Sequence, residues 1–330
     1  MLGGRMFVVA LAAAAASAGA CSSEDGGAGA CGPESQDEVP NDLACTGLYS
    51  DFATRTIAPT ARAYAPGVAF WSDGLDKDRY IELPEGQTVD ATSMDDWKFP
   101  NGTKVWKDIH KGPKKVETRF FWKTNAGKWL QTSYVWSEDG TKATVGAGTD
   151  VMLDGEPYHI PTTTECSECH RGRRDKLLGF EAVSLAQPGA TGVTLATLAR
   201  EDKIVPKPAV TAVTVPNPAY GVLHVNCGVT CHNATPSATA ETTGLRLRLA
   251  FEELAANEPE VEWDLYKTLV GVETTSAGRA GLRVKAGAPD ESELVKAMGM
   301  RGDGQMPPLA STVVDTQGVD VVKRWIEGLR

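Results

Sequence analysis

The hydrophobic and polar residues between positions 61 and 160 follow a pattern typical of β-strands. Two runs rich in aromatic and β-branched residues, 116–124 and 129–137, flank the turn sequence Asn125-Ala126-Gly127-Lys128, and Asp139-Gly140 marks another turn. Such runs, bounded by Gly, Asn and Asp, predict hairpins. We therefore expect residues 61–160 to form a β-rich, sandwich-like domain.

Helical periodicity replaces this pattern towards the C-terminus. Residues 195–200 predict a short helix, and a longer one starts near Asp315 or Thr316, where apolar residues recur at helical spacing. These apolar residues are Val319, Val322, Ile326 and Leu329. The predicted fold class is α+β multidomain: the β-rich domain, a segment with a proline-rich connector at 161–217, and a mostly helical region at 218–330.

The first 20 residues predict an export signal of the lipoprotein type. Arg5 precedes an apolar run, 6–16, that is short for a membrane span. The small residues 18–20 before Cys21 resemble a bacterial lipoprotein cleavage site, at which Cys21 would be lipidated. The alternative is cleavage near Ala20, which would leave a soluble periplasmic protein.

Residues 21–60 are rich in Gly, Pro and acidic side chains and predict a tether. Cys31 and Cys45 lie within it. Because an exported chain is in an oxidising compartment, we expect these two to form a disulfide. The alternative is a pair of unbonded thiols in the tether.

The charge and aromatic content narrow the classes of partner. The formal net charge is −10, which argues against nucleic acid as a partner and fits a protein that docks on basic partners.

Six of the eight Trp fall between Trp71 and Trp136, where they could form an aromatic core or a ligand-binding face. Strands present side chains to both faces, so the sequence leaves both interpretations open.

The segment Cys166-Ser-Glu-Cys169-His170 is a CxxCH motif. In such a motif two thiols about one helical turn apart bond to the vinyl groups of one haem, and the adjacent His ligates the iron. The alternatives are a zinc site that uses Cys166 and Cys169, or a disulfide between them.

A second segment, Cys227-Gly-Val-Thr-Cys231-His232, has one extra residue between its cysteines. An added residue turns the second sulfur by about 100° around a helix. We therefore expect the backbone to bulge or loosen there, with haem bonded through one or both thiols.

Met306 precedes two prolines in a loop well after the second motif. Proline restricts φ, so the loop would present the Met306 sulfur to an iron atom with little conformational freedom. The alternative is a packing methionine. Met298 and Met300 lie on a helical run and are interpreted as core residues.

Seven short segments precede or introduce these motifs in a fixed order: FWSD (70–73), KDRYIELP (77–84), WKFPNGT (97–103), VETR (116–119), YVW (134–136), YHIP (158–161) and YGVLHVNC (220–227). With them, residues 60–330 resemble a family of bacterial di-haem c-type cytochromes that have an N-terminal β-rich domain and a C-terminal class I-like cytochrome c domain. The resemblance implies two haem c groups, with iron ligated by His170, His232 and Met306, and electron transfer. The family has CxxCH at its second site, where this chain has CxxxCH.

The first haem needs a sixth ligand or an open position, and His159, His224 and Met152 are the candidates. A ligated iron makes an electron carrier. An open one could react with peroxide, so a di-haem peroxidase-like oxidoreductase is the alternative function. Four basic residues after the first motif either pair with haem propionates or form a solvated surface: Arg171, Arg173, Arg174 and Lys176.

These predictions place the protein in the cell envelope, facing the periplasm and attached to a membrane through lipidated Cys21. Ser22 and Ser23 after this Cys, by resemblance to sorting in well-studied bacteria, favour the outer membrane. The expected partners are redox proteins of the envelope.

Overall fold

The computed structural model describes residues 31, 35–275 and 278–330. Its strands are β1 (Tyr49–Asp51), β2 (Thr56–Ile57), β3 (Arg62–Ala65), β4 (Asp76–Glu82), β5 (Val89–Asp90), β6 (Lys104–Lys111), β7 (Lys114–Lys123), β8 (Trp129–Trp136), β9 (Ala143–Val145), β10 (Asp150–Leu153), β11 (Glu156–His159), β12 (Thr191–Gly192) and β13 (Ile204–Val205).

The helices are α1 (Thr163–His170), α2 (Ala182–Ala186), α3 (Leu195–Arg200), α4 (Pro218–Leu223), α5 (Phe251–Ala255), α6 (Asp264–Leu269), α7 (Glu293–Met298) and α8 (Thr316–Gly328), with a π-helical turn at His224–Gly228 and four short 3₁₀ turns. The fold is thus mixed α+β, which confirms that part of the predicted fold class.

A seven-stranded antiparallel sheet forms the centre, in the order β12-β3-β4-β6-β7-β8-β9. The predicted hairpin is confirmed, since β7 and β8 pair around the turn at 124–128. Gly127 has a φ of +79° in this turn, a conformation that glycine adopts without strain. β7 carries buried hydrophobic side chains at consecutive positions, Phe120, Phe121 and Trp122. Because successive side chains of a strand point to opposite faces, both faces of the sheet are buried here.

One face of the sheet packs against the helical region. Ile81, Val105 and Phe121 belong to a core that also includes Leu223 of α4 and Ile326 of α8. The predicted apolar face of α8 is confirmed, and Asp315 caps its start by accepting a hydrogen bond from the Gly318 N–H. The chain from Cys31 to Arg330 forms one compact unit.

The opposite face of the sheet packs against the segment that precedes it. Leu43 and Leu48 are fully buried there against Trp106, Phe120 and other aromatic residues. Residues 42–58 are therefore a packed layer rather than the predicted tether. This layer also takes the place of the second sheet that a sandwich would need, in the part of the chain that the structure describes.

The proline-rich connector also contributes strands that the sequence pattern did not indicate. β12 pairs with β3 at the edge of the large sheet, and β13 pairs in parallel with β5. A strand of two residues is too short for an alternating pattern to appear. The helix predicted at 195–200 is confirmed as α3.

The clustered Trp residues are mostly core residues. Trp97 lies in the core on the helical side, whereas Trp106, Trp122 and Trp136 lie in the core on the other side. Among the described residues, no helix is both long and apolar enough to cross a membrane.

Candidate functional site

All seven residues predicted to bind haem line one cavity on the helical side of the sheet. The space inside it, part of which opens to solvent, is about 1960 Å³. The residues it brings together are Cys166, Cys169, His170, Cys227, Cys231, His232 and Met306. Their sequence separation is large, so only the tertiary structure could place them together.

The first motif lies on α1, whose start is set by a capping box. Thr162 accepts a hydrogen bond from the Glu165 N–H, and the Glu165 carboxylate accepts one from the Thr162 N–H. The helix then carries Cys166 and Cys169 towards the cavity and ends at His170.

The His170 imidazole is buried and held in one orientation. Its Nδ1 lies 2.5 Å from the Lys176 carbonyl oxygen, and its ring stacks on Phe121 with 4.3 Å between centroids. Burial lowers the pKa of His170 well below its usual value, so the ring is neutral. A neutral imidazole whose Nδ1–H is held by a carbonyl is the form that binds a metal through Nε2.

The second motif follows α4 through the π-helical turn. The Val229 N–H donates to the His224 carbonyl, and the His232 N–H donates to the Cys227 carbonyl, each five residues back. A π turn holds one residue more than an α turn. The backbone therefore widens where the extra residue stands, as the motif spacing predicted.

The His232 ring lacks a hydrogen bond on Nδ1 of the kind that holds the His170 ring. Burial, with Arg283 and Arg246 nearby, lowers the pKa of His232 to about 4, so this imidazole is also neutral. Its Nδ1 is buried and has no hydrogen-bond partner in the part of the chain that the structure describes. Such an unpaired buried atom is rare in a native protein.

The two motifs are in direct contact. A Cβ added to Gly172 would lie far closer to the Thr230 carbonyl oxygen than van der Waals contact allows, so the two backbones touch there. The Ser237 hydroxyl donates to the Arg171 carbonyl at 2.6 Å, and the Thr239 hydroxyl donates to the Glu168 carbonyl at 3.0 Å. Groups attached to the two motifs would therefore lie side by side.

The loop that carries Met306 is held at several points. The Met306 N–H donates to the Ala297 carbonyl at 2.9 Å. The Gln305 side chain accepts from the Gly302 N–H and donates to the carbonyls of Pro307 and Ser311. This bonding restricts the loop beyond the two prolines. Met298 also lines the cavity, whereas Met300 is exposed.

Asp73 joins the Met306 loop to the β-rich part of the chain. One carboxylate oxygen accepts from the Thr312 N–H, and the other accepts from the Ser311 hydroxyl and the Trp71 indole N–H. The backbone N–H of Trp71 donates to the side-chain oxygen of Asn226, the residue before Cys227. The segment 71–73 therefore connects the second motif to the loop after Met306, a role that the sequence analysis did not identify.

The candidates for the sixth ligand of the first haem, His159, His224 and Met152, do not line the cavity. His224 is buried outside the cavity lining: its Nδ1 accepts from the Leu249 N–H, so its Nε2 carries the proton that faces Glu181. His159 has Asp150 on Nδ1 and Glu165 on Nε2. Met152 is 63% exposed. The expectation that His159 or His224 ligates the iron is not supported, because carboxylates and a backbone N–H already occupy their nitrogens.

The structure joins Cys31 and Cys45 in a disulfide, whereas Cys21, the predicted lipidation site, lies outside the described residues. Cys166, Cys169, Cys227 and Cys231 are unbonded, so the alternative of a disulfide within either motif is not seen. No group of three or more His, Cys, Asp or Glu among the described residues is arranged to hold a metal ion. A haem iron takes at most two ligands from the protein, so a haem site is of a different kind.

The basic residues after the first motif do not line the cavity. Arg173 is buried near Glu181, and Arg171 pairs with Glu168. Basic side chains of the sheet line the cavity instead, among them Arg79, Lys107 and Arg119. The alternation of side chains along a strand could have indicated Arg79 and Lys107 from the sequence. Arg79 shares a face of β4 with Ile81, and Lys107 shares a face of β6 with Val105.

The donor set of the cavity fits two haem groups. Four thiols are free to form thioethers, two neutral imidazoles can ligate iron, and a methionine lies on a restrained loop.

Comparison of the chain with protein-family models, with curated proteins and with solved structures found no match.

Proposed function

We propose that this chain is a di-haem c-type cytochrome that transfers electrons in the cell envelope, with covalent haem at residues 166–170 and 227–232. The observation that carries the proposal is that both Cys/His motifs and Met306 line one cavity. His170 would ligate the first iron, His232 the second, and Met306 would be the sixth ligand of the second.

The bound haems would supply one-electron redox chemistry. The protein's residues hold the two attachment segments against each other, through the contact of Gly172 with Thr230. An electron that enters at one haem would therefore have a short path to the other. The acidic chain would dock with basic redox partner proteins.

Residues 218–330 support a cytochrome c-like arrangement for the second haem. α4 precedes the motif and packs against α8, with 5.1 Å between the ring centroids of Tyr220 and Trp325. The Met306 loop comes just before α8. The region therefore has, in chain order, a first helix, the Cys/His motif, a Met-bearing loop and a terminal helix that contacts the first.

The location and attachment are part of the proposal. The export signal at 1–20 would direct the chain to the periplasm, and lipidated Cys21 would attach it to a membrane, with the outer membrane favoured by Ser22 and Ser23. Mass spectrometry of the mature N-terminus tests this: a diacylglyceryl-modified Cys21 is expected, and a free N-terminus near Ala20 would contradict it.

The haem content per chain tests the central proposal. The full chain would be co-expressed with a cytochrome c maturation system, and haem would be quantified by the pyridine haemochrome assay. We expect two c-type haems per chain. One haem would mean that the CxxxCH motif is not an attachment site, and a folded protein without haem would contradict the proposal.

A second function, a di-haem peroxidase-like oxidoreductase, is favoured by one observation. Both His candidates for the sixth position of the first haem have their ring nitrogens engaged by other groups. That leaves room for an open iron site. A high-spin signal that disappears on cyanide binding would favour this function, whereas two low-spin haems would exclude it.

A further inference from the structure

Three basic residues lie in a row across the middle of the sheet. Arg79 on β4 is directly opposite Lys107 on β6, and Lys107 is directly opposite Arg119 on β7. All three line the cavity, and we call them the cation row. Arg79 is only 7% exposed. Like charges placed opposite each other on neighbouring strands repel, so this arrangement needs a compensating anion.

The described residues provide negative charge for only one member of the cation row. Arg119 donates two hydrogen bonds to Glu117, the shorter at 2.6 Å. Arg79 and Lys107 have no carboxylate within salt-bridge distance anywhere in the described ranges, and Nε of Arg79 is buried without a hydrogen-bond partner. A buried cation is strongly destabilising unless it is paired.

Two further observations agree that negative charge is missing here. Burial, together with the charges of Arg79 and Arg119, lowers the pKa of Lys107 to about 7. Lys77, which shares the same face of β4 and also lines the cavity, donates from Nζ to the carbonyls of Phe70 and Trp71 at 3.1 and 3.2 Å. Backbone carbonyls therefore compensate Lys77, and no carboxylate of the described residues lies within salt-bridge distance of it.

The cation row lies beside the first Cys/His motif. Phe121, the next residue after Arg119 on the same face of β7, stacks on the His170 ring. The charges of Lys107 and Arg119 act on Cys166, Cys169 and His170. A group attached to this motif would therefore face the row.

We propose that the cation row is a carboxylate-binding site that holds the propionates of the haem attached at Cys166 and Cys169. This inference rests on the proposed function. Arg guanidinium groups match carboxylates in geometry, and a lysine beside them adds a third donor. The row takes the role that the sequence analysis considered for Arg171, Arg173, Arg174 and Lys176.

Glu117 shares a face of β7 with Arg119, and Asp78 is next to Arg79 on β4 but points to the opposite face. The ionisable groups that face the row from other elements are Tyr64, Tyr158, Cys166, Cys169 and His170. Burial raises the pKa of Tyr64 to about 12 and raises that of Tyr158 further, so neither ionises between pH 5 and 8. The two thiols and His170 would be bonded to the haem. Propionates bound beside Lys107 would raise the pKa of its ammonium group above this range. A change of titration between pH 5 and 8 on altering the row would therefore report on the propionates.

The test uses the full chain, loaded with haem, and two variants of the row, Lys107→Met and Arg79→Gln. Lys111→Met is the matched control, because Lys111 lies on the same strand but forms an exposed pair with Asp154. Haem per chain and the two reduction potentials would be measured between pH 5 and 8. Removing a nearby cation is expected to raise the propionate pKa by about 1 to 3.

We expect both row variants to keep two haems per chain and to alter one of the two potentials. That potential would be lower than the parent's at pH 7 and would depend more steeply on pH, whereas Lys111→Met would match the parent. If one of the two row variants does not fold, the reduction potentials of the other variant test the inference. Potentials unchanged in a folded row variant would overturn this inference and leave the proposed function standing. A parent chain without haem would overturn both.

Discussion

His170 and His232 differ in what surrounds their imidazole rings. His170 has a carbonyl on Nδ1 and a phenyl ring against its face, whereas His232 has a buried Nδ1 without a partner in the described chain. The first ring is thus oriented by the protein, and the second would be oriented by what binds it. Met306 is the residue that would complete the second site.

Replacing Met306 with alanine should change only the second haem. A thioether ligand raises the reduction potential of haem iron. We therefore expect Met306→Ala to lower one of the two potentials and to remove the weak long-wavelength absorption band of a methionine-ligated haem. Redox titration and absorption spectroscopy measure these changes. Met300→Ala, at an exposed position, is the control, and an unchanged spectrum in Met306→Ala would show that Met306 is not a ligand.

Glu181 should make stability depend on acid pH. Burial opposes its ionisation, but hydrogen bonds from His224 and Ser184 and the charge of Arg173 outweigh this and lower its pKa to about 2. Since that pKa lies below the unfolded value of 4.5, its contribution is present above pH 4.5 and is lost as pH falls towards 2.

The contribution of Glu181 at pH 7 is up to about 3 kcal/mol. Glu181→Gln should therefore lower the free energy of unfolding at pH 7 and flatten its pH dependence between about 4.5 and 2. Urea unfolding at a series of pH values measures both effects. Glu327→Gln, on the exposed side of α8, should leave the curve unchanged. An equally steep curve in Glu181→Gln would show that another group is responsible.

At the scale of elements, each Cys/His motif is held by local structure that suits its spacing. The CxxCH motif sits on a capped α-helix, and the CxxxCH motif sits on a π turn that takes up the extra residue. The Met306 loop depends instead on a distant element, because Asp73 between β3 and β4 binds residues 311–313.

Asp73→Asn should loosen the Met306 loop while keeping the backbone. Asp73 has a φ of +53°, a conformation that asparagine also tolerates. Because both carboxylate oxygens accept hydrogen bonds, replacing one oxygen with an NH₂ group would leave a donor of the loop unpaired, at about 1–3 kcal/mol. We expect a lower melting temperature and a weaker methionine-ligation band. Asp76→Asn, an exposed position on β4, is the control; equal effects in both variants would contradict the role of Asp73.

At the scale of the whole molecule, the sheet is buried on both faces and the cavity lies between it and the helices. The face towards the helices carries the cation row and Phe121, while the other is covered by residues 42–58. The two motifs meet at Gly172 and Thr230, which sets how closely their haems would approach.

Gly172→Ala should separate the two motifs. Its Cβ would overlap the Thr230 carbonyl oxygen, which is backbone and cannot rotate away. Overpacking of this kind costs about 1–3 kcal/mol or more. We expect a lower free energy of unfolding in urea and slower electron exchange between the haems. Gly328→Ala, where a Cβ meets open space, should be nearly neutral, and a fully stable Gly172→Ala protein would contradict the close contact.

The local features could be predicted from the amino-acid sequence alone, because each depends on residues close together in the chain. Periodicity indicated β7, β8, α3 and α8, and the extra residue of the second motif indicated a widened turn. The spacing of Cys and His also indicated the chemistry that we propose.

Contacts between residues far apart in the sequence became known only from the tertiary structure. It packed residues 42–58 as a layer, engaged His159 and His224 with other partners, and brought Asp73 to the Met306 loop. It also placed the cation row, rather than Arg171 to Lys176, at the cavity. These outcomes depend on strand register and on the burial of each face, which pair residues far apart in the sequence. A local pattern could show at most that Arg79 and Lys107 share a face with core residues of their own strands.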